Sequence, residues 1–91
     1  MIFRRKPRLP DRATLERELG DLVRKELLTD SELESPVATE PLEALDSIRI
    51  LRLCALVEDR YGVKISDEEI TLENFSACAA LATFLLTKSG S

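Results

Sequence analysis

Apolar residues recur in the first third of this 91-residue chain at the spacing of one helix face. Starting from Leu15, they follow four, seven, eight and twelve residues later, at Leu19, Leu22, Val23 and Leu27. Residues three or four positions apart lie on the same side of an α-helix. Pro10-Asp11 precedes the run as a helix start signal, with Asp11 or Thr14 as the capping residue. The pattern therefore predicts a first helix that ends near Leu28.

A second helix is predicted from Asp46-Ser47 to Tyr61, with Gly62 as its C-terminal stop. The stripe expected to face the core consists of Leu51, Cys54, Val57 and Tyr61, and Ile48, Ala55 and Leu56 widen the apolar arc. Between the first two helices, Thr29 to Glu43 has no clean period and contains several turn residues. We expect a long loop there, held on the core by Leu33, Val37 and Leu42.

A short helix is expected next, either at the capping-box spacing of Ser66 and Glu69 or over Leu72 to Phe75. A last helix is predicted from about Ser76 to Leu86, with Ala77, Leu81, Phe84 and Leu85 on its buried stripe. No strand signal is present. The sequence thus predicts an all-α fold, a small four-helix bundle of three longer helices and one short one. We expect a flexible basic leader over residues 1–10, a folded domain over 11–86 and a flexible tail over 87–91.

The formal net charge is −4, and the charge is unevenly spread. The first eight residues hold Arg4, Arg5, Lys6 and Arg8, which leaves nine basic against seventeen acidic residues in the rest of the chain. An acidic domain is a poor nucleic-acid binder. The basic leader is interpreted as a solvated chain end, with a membrane-surface or partner contact as the alternative. Because no apolar stretch forms a signal peptide or a transmembrane span, we expect a cytoplasmic protein without stable membrane insertion.

The chain contains no histidine, so no serine has the usual general base for nucleophilic catalysis. Two cysteines without histidine exclude a structural zinc site, and Cys54 and Cys78 are interpreted as small buried apolar residues, with a disulfide between two helices as the alternative. No glycine-rich phosphate loop or dense calcium-binding pattern is present, and the carboxylates are interpreted as a solvated acidic surface. These observations predict that the chain is not an enzyme.

Three segments carry a resemblance to a known family. They are Leu45-Asp46-Ser47-Ile48 at the start of the second helix, the rest of that helix from Leu51 to Tyr61 with the stretch Glu58 to Ile65 at its end, and Glu73-Asn74-Phe75 leading into Ala80 to Leu85. In these segments the chain resembles the acyl carrier protein family, which includes the peptidyl and aminoacyl carrier domains. The resemblance covers roughly residues 11–86. Taken alone, Asp46 and Ser47 are also common helix-capping residues, so capping is the alternative explanation of this pair.

The resemblance implies that Ser47 is the attachment point of 4′-phosphopantetheine, transferred from coenzyme A by a phosphopantetheinyl transferase. The arm would carry acyl or aminoacyl intermediates as thioesters between loading enzymes and downstream biosynthetic enzymes. Fatty acid, polyketide and peptide-like pathways all remain open, and the carrier is expected to be a monomer. The alternative is an unmodified helical interaction module derived from a carrier fold.

Two residues depart from the fatty-acid carriers of this family. Those carriers typically have acidic residues two and five positions after the serine, where this chain has Arg49 and Arg52. Residues three apart share one face of a helix. Together with Asp46 and Ile48, the arginines are expected to form the partner-recognition surface. A partner patch shaped for an acidic helix would be repelled by them, which favours a specialised pathway. The alternative is two solvated arginines with Glu43, Asp46 or Asp59 nearby.

Overall fold

Three long helices form the body of the protein in the computed structural model, which describes residues 9–36 and 40–90. They are α1 (Arg12–Glu26), α3 (Ser47–Tyr61) and α5 (Cys78–Gly90), and the one-turn helices α2 (Asp30–Leu33) and α4 (Leu72–Phe75) lie in the connections. Two 3₁₀ turns, Pro41–Ala44 and Asp67–Glu69, complete the described elements. Within the described ranges there is no strand, so the predicted all-α bundle with three longer helices is confirmed. Most of the predicted basic leader and Val37 lie outside these ranges.

Helix α1 buries the predicted apolar face. Leu15, Leu19 and Val23 have no exposed surface, and Leu22 and Leu27 are nearly as buried. Asp11 caps the helix, because its carboxylate accepts hydrogen bonds from the Thr14 hydroxyl at 2.8 Å and from the Thr14 backbone N–H at 3.4 Å. The helix ends at Glu26, with Leu27 as its C-cap, and it packs along α5.

Helix α3 has the predicted bounds, but its buried face is rotated from the predicted one. Leu53 is fully buried and joins Cys54, Val57 and Tyr61 in the core, whereas Leu51 is 56% exposed. Residues two apart are separated by roughly 200° around a helix, so Leu51 and Leu53 cannot both face the core. The prediction for Leu51 is therefore wrong, and Ile48 and Ala55 are likewise exposed.

Tyr61 joins the end of α3 to α1. Its hydroxyl donates a hydrogen bond to Oε1 of Glu18 at 2.8 Å, and its ring is 8% exposed. Burial is the main reason that the pKa of Tyr61 is raised from 10.0 to about 12, with the hydrogen bond to Glu18 and the charge of that carboxylate adding to the effect. This contact fixes α3 against α1 at the end of α3 remote from Ser47.

Gly62 ends α3 in the left-handed conformation, with φ of 71°, and its N–H donates to the Glu58 carbonyl at 2.9 Å. We expect Gly62→Ala to lower the free energy of unfolding by about 1 kcal/mol, because a Cβ is disfavoured at this φ. Denaturant unfolding measures the effect. Gly20→Ala in α1 is the matched control, since its Cβ would meet only the flexible end of Arg24, at 3.1 Å from Nη1. That control should be neutral or stabilising, and a loss at Gly20 equal to that at Gly62 would contradict the explanation.

The connection between α1 and α3 is more ordered than predicted. Thr29 and Glu32 form a capping box that starts α2, and the 3₁₀ turn that follows buries Leu42. Leu42 therefore holds the connection on the core as predicted. Leu33, at 39% exposed, does so only weakly.

After α3 a short helical element occurs at each of the two predicted positions. Ser66 and Glu69 form a capping box over the 3₁₀ turn Asp67–Glu69, and α4 follows at Leu72–Phe75. Helix α5 begins at Cys78 and buries the predicted Leu81 and Leu85, while Ala77 and Phe84 are only partly buried. The predicted end of the last helix at Leu86 is wrong, because α5 continues to Gly90.

Candidate functional site: Ser47 and the adjacent groove

Ser47 is the first residue of α3, and Asp46 is the N-cap. The Asp46 carboxylate accepts a hydrogen bond from the Arg49 N–H at 2.9 Å, and its carbonyl accepts one from the Ile50 N–H at 2.9 Å. Ser47 is exposed. Among the described residues, none hydrogen-bonds to the Ser47 hydroxyl or to the backbone N–H groups of Ser47 and Ile48. The first turn of α3 therefore presents a free hydroxyl beside two free backbone donors.

The chemistry of this turn favours a negatively charged group. The N-terminus of an α-helix carries a partial positive charge, and its unpaired N–H groups are ready donors to phosphate oxygens. A phosphodiester on the Ser47 oxygen would lie within this region. Asp46 caps the helix by accepting a hydrogen bond from the Arg49 N–H, and this bond does not involve the Ser47 hydroxyl. Asp46 can therefore cap the helix while Ser47 stays exposed.

An open groove of about 770 Å³ begins beside Ser47. One wall is formed by the 3₁₀ turn Pro41–Ala44 and the start of α3. The other wall is formed by the segment that contains α4. The lining residues are Leu42, Glu43, Leu45, Asp46, Ser47, Ile50, Leu51, Ile70, Thr71, Leu72, Phe75 and Ser76. Seven of the twelve are Leu, Ile or Phe, so the groove offers mainly apolar surface to a group attached at Ser47.

Large apolar side chains are exposed around the serine. Ile48, immediately after Ser47, is 71% exposed, and Leu51 and Leu72 in the groove lining are 56% and 86% exposed. Exposed apolar side chains that cluster on one surface are typical of binding sites. The groove was not predicted, because Leu51 was assigned to the core. The exposure of Leu72 could not be read from a one-turn helix.

Arg49 is directed toward the helix ends around it. Its Nη1 donates to both Glu32 carboxylate oxygens, at 2.8 and 3.1 Å, and to the Leu27 carbonyl at 3.3 Å. Its Nε lies 3.9 Å from Oδ2 of Asp46. The Arg49 and Glu32 side chains are each 26% exposed. A hydrogen bond from the Thr29 N–H and then the Arg49 guanidinium hold the pKa of Glu32 below its usual value.

Arg52 is in a different position. It is exposed on α3, and among the described residues no carboxylate forms an ion pair with it. Of the two arginines expected on the partner surface, Arg52 is available to a partner and Arg49 is held within the protein. Sequence spacing places both on one face of the helix but does not reveal Glu32, which is 17 residues away in the chain.

The cysteines lie in the core, away from solvent. Burial is the main cause that raises the pKa of Cys54 to about 11 and that of Cys78 to about 12, and nearby carboxylates add to the effect. Both thiols are therefore protonated at neutral pH, which agrees with the prediction that they act as small apolar residues. No cluster of three or more potential metal ligands occurs in residues 9–36 and 40–90.

The structure thus brings Asp46 and Ser47 to the edge of the groove, leaves Ile48 and Arg52 exposed on α3, and ties Arg49 to Glu32. None of the described helices has the length and apolar character needed to cross a membrane. Comparison with protein-family models, with curated proteins and with solved structures finds no match to this chain.

Proposed function

We propose that the chain is a carrier protein that holds 4′-phosphopantetheine on Ser47 and delivers acyl or aminoacyl groups to successive enzymes. The observation that carries this proposal is the exposed Ser47 hydroxyl at the first residue of α3, beside an apolar groove. The sequence around this same serine is one of the three segments that resemble acyl carrier proteins. A carrier needs no general base of its own, and the absence of histidine is compatible with that role.

The residues around Ser47 fit the proposed group. The free N–H groups of Ser47 and Ile48 suit the phosphate, and Leu45, Ile50 and Leu51 offer an apolar wall to whatever lies along the groove. When bound, the arm supplies a thiol on which acyl groups are carried as thioesters. Attachment brings such a group to each partner at a high effective concentration.

Attachment would be made by a separate phosphopantetheinyl transferase. The Ser47 oxygen forms the new bond to phosphorus, the hydroxyl proton passes to a base on the transferase, and the nucleotide part of coenzyme A leaves. The further partners are loading enzymes and downstream enzymes of a fatty acid, polyketide or peptide-like pathway. We propose that the carrier is a cytoplasmic monomer and that Asp46, Ile48 and Arg52 take part in recognition.

Intact-mass measurement tests the proposal. After incubation with coenzyme A and a broad-specificity phosphopantetheinyl transferase, the protein should gain the mass of one phosphopantetheine. Ser47→Ala should gain none, because the accepting oxygen is missing. Ser31→Ala is the matched control, since Ser31 is also an exposed serine in the first turn of a helix. Absence of the gain in the wild type, or a gain that survives Ser47→Ala, would overturn the proposal.

A second candidate function is an unmodified interaction module. It is favoured by the exposed side chains of Ile48, Leu51 and Leu72, which offer a docking surface whether or not Ser47 is modified. A partner that binds wild type and Ser47→Ala equally well, together with no mass gain, would support this function over the carrier.

A further inference from the structure

One guanidinium joins the ends of three helices in this protein. Arg49 lies in the first turn of α3, Glu32 lies in α2, and the Leu27 carbonyl belongs to the C-cap of α1. Arg49 donates to the other two groups, as described above. The covalent link from Glu34 to Asp46 is 13 residues long, so it does not by itself fix the start of α3 relative to α1 and α2. The Arg49 side chain adds a direct polar connection between these helix ends, two residues from Ser47.

A second ion pair of nearly the same construction lies elsewhere in the fold. Glu69 closes the Ser66 capping box just as Glu32 closes that of Thr29, and it accepts a hydrogen bond from Nζ of Lys88 at 2.9 Å. The Lys88 and Glu69 side chains are 27% and 31% exposed, close to the values for the first pair. This second pair joins α5 to the turn before α4, and neither of its members lies on α3.

We propose that Arg49 is a positioning residue for Ser47. Its bonds to Glu32 and Leu27 hold the first turn of α3 against the ends of α1 and α2, and so set the orientation in which the Ser47 hydroxyl meets a modifying enzyme. This inference rests on the proposed carrier function. It assigns Arg49 a role inside the protein and leaves Arg52 as the basic residue of the pair that faces partners.

The arrangement suits an arginine. Nη1 bonds Glu32 and Leu27 while Nε of the same guanidinium lies 3.9 Å from Oδ2 of Asp46, and the single nitrogen of a lysine cannot occupy both positions. Arg49→Lys therefore keeps the positive charge but cannot keep the contacts with Glu32, Leu27 and Asp46 together. If Arg49 served a partner through its charge alone, Arg49→Lys would retain most of its activity.

Steady-state kinetics of Ser47 modification test the proposal, with coenzyme A and a broad-specificity phosphopantetheinyl transferase. We expect Arg49→Gln, Arg49→Lys and Glu32→Gln each to lower kcat/KM by roughly fivefold. Glu32→Gln suits this purpose because glutamine can still close the capping box. The double variant Arg49→Gln with Glu32→Gln should be no worse than Arg49→Gln alone, because that variant already removes the ion pair that Glu32→Gln weakens.

Lys88→Gln and Glu69→Gln are the matched controls, and they should leave kcat/KM unchanged. A loss with these controls equal to the loss with Arg49→Gln would show a general effect of stability and would overturn the proposal. A loss of kcat/KM with Arg49→Gln but not with Glu32→Gln would also overturn the proposal, because it would show that Arg49 contacts the transferase directly. Retention of wild-type kcat/KM by Arg49→Lys would overturn it as well.

Amide hydrogen exchange separates this inference from the carrier function. Arg49→Gln and Glu32→Gln should each speed exchange at the amides of Arg49 and Ile50, which are hydrogen-bonded to Asp46. The Lys88→Gln control should not. This result is expected even if the wild type is never modified, so failure of the carrier proposal alone would leave the structural connection through Arg49 standing and would remove only its role in modification. Unchanged exchange at these amides would overturn the positioning role.

Discussion

Leu53→Ala is expected to lower the free energy of unfolding by about 3 kcal/mol, the typical cost of removing a fully buried leucine side chain. Leu53 has no exposed surface and lies in the core beside Cys54 and Val57. Small domains have a total stability of roughly 5 to 15 kcal/mol, so this loss should be plain in a urea or guanidinium unfolding curve.

Leu51→Ala is the control that makes this experiment decisive. The same chemical change two residues earlier should cost no more than about 0.5 kcal/mol, because Leu51 is 56% exposed. The sequence pattern alone predicts the opposite ranking, since it places Leu51 on the core stripe. A larger loss of unfolding free energy for Leu51→Ala than for Leu53→Ala would show that α3 turns Leu51, and not Leu53, toward the core.

If Ser47 carries the proposed phosphopantetheine arm, Arg52→Glu is expected to improve loading of that arm by a standard fatty-acid malonyl transferase by about tenfold in kcat/KM. Such an enzyme recognises an acidic carrier helix, and Arg52 stands five residues after Ser47, where fatty-acid carriers typically have an acid. The substitution removes a repulsion and supplies the missing negative charge. Because Arg52 has no ion-pair partner among the described residues, the change should disturb the fold little.

The matched control is Lys64→Glu, which makes the same charge change beyond the far end of α3. That helix has 15 residues and is therefore about 22 Å long, so Lys64 is remote from Ser47. Lys64→Glu should leave loading unchanged. An equal gain from both variants would show that the effect comes from net charge alone. A wild type that is already loaded as well as an ordinary fatty-acid carrier would contradict the specialised role.

Arg49 is unsuited to the same test, although the sequence treats it as the equivalent of Arg52. An aspartate at position 49 would break the pair with Glu32 and place a third carboxylate beside Glu32 and Asp46. Any change in loading would then mix altered recognition with altered packing. Arg52→Glu alone isolates the recognition effect.

Much of the fold follows from local rules in the sequence. The period of Leu15, Leu19 and Val23 predicts the buried face of α1, because every residue of that stripe is apolar and its opposite face is polar. In α3 apolar residues occur on several sides, so periodicity cannot choose between Leu51 and Leu53. The choice is made in the folded chain, where Leu53 joins one core cluster with the buried residues of α1 and α5, and no local pattern contains that information.

In the candidate site, too, some features follow from local sequence and others depend on how distant segments meet in the folded chain. The position of Ser47 at the start of α3 follows from Asp46 as a capping residue, and the structure places it there. The groove is formed by segments that meet only in the folded chain, from Leu42 on one side to Phe75 on the other. A local signal for α2 is also present in the sequence, because Thr29 and Glu32 have the same capping-box spacing as Ser66 and Glu69. Attachment of phosphopantetheine to Ser47 stays a prediction.

The contact between Tyr61 and Glu18 has a practical consequence for spectroscopy. The chain has no tryptophan and a single tyrosine, so its near-ultraviolet absorbance and intrinsic fluorescence report mainly on the junction of α1 and α3. Because the pKa of Tyr61 rises from 10.0 to about 12 on folding, the unfolded chain ionises first as pH increases through this interval. Alkaline conditions therefore lower the stability of the fold between these values, and within this interval tyrosinate absorbance comes mainly from the unfolded chain.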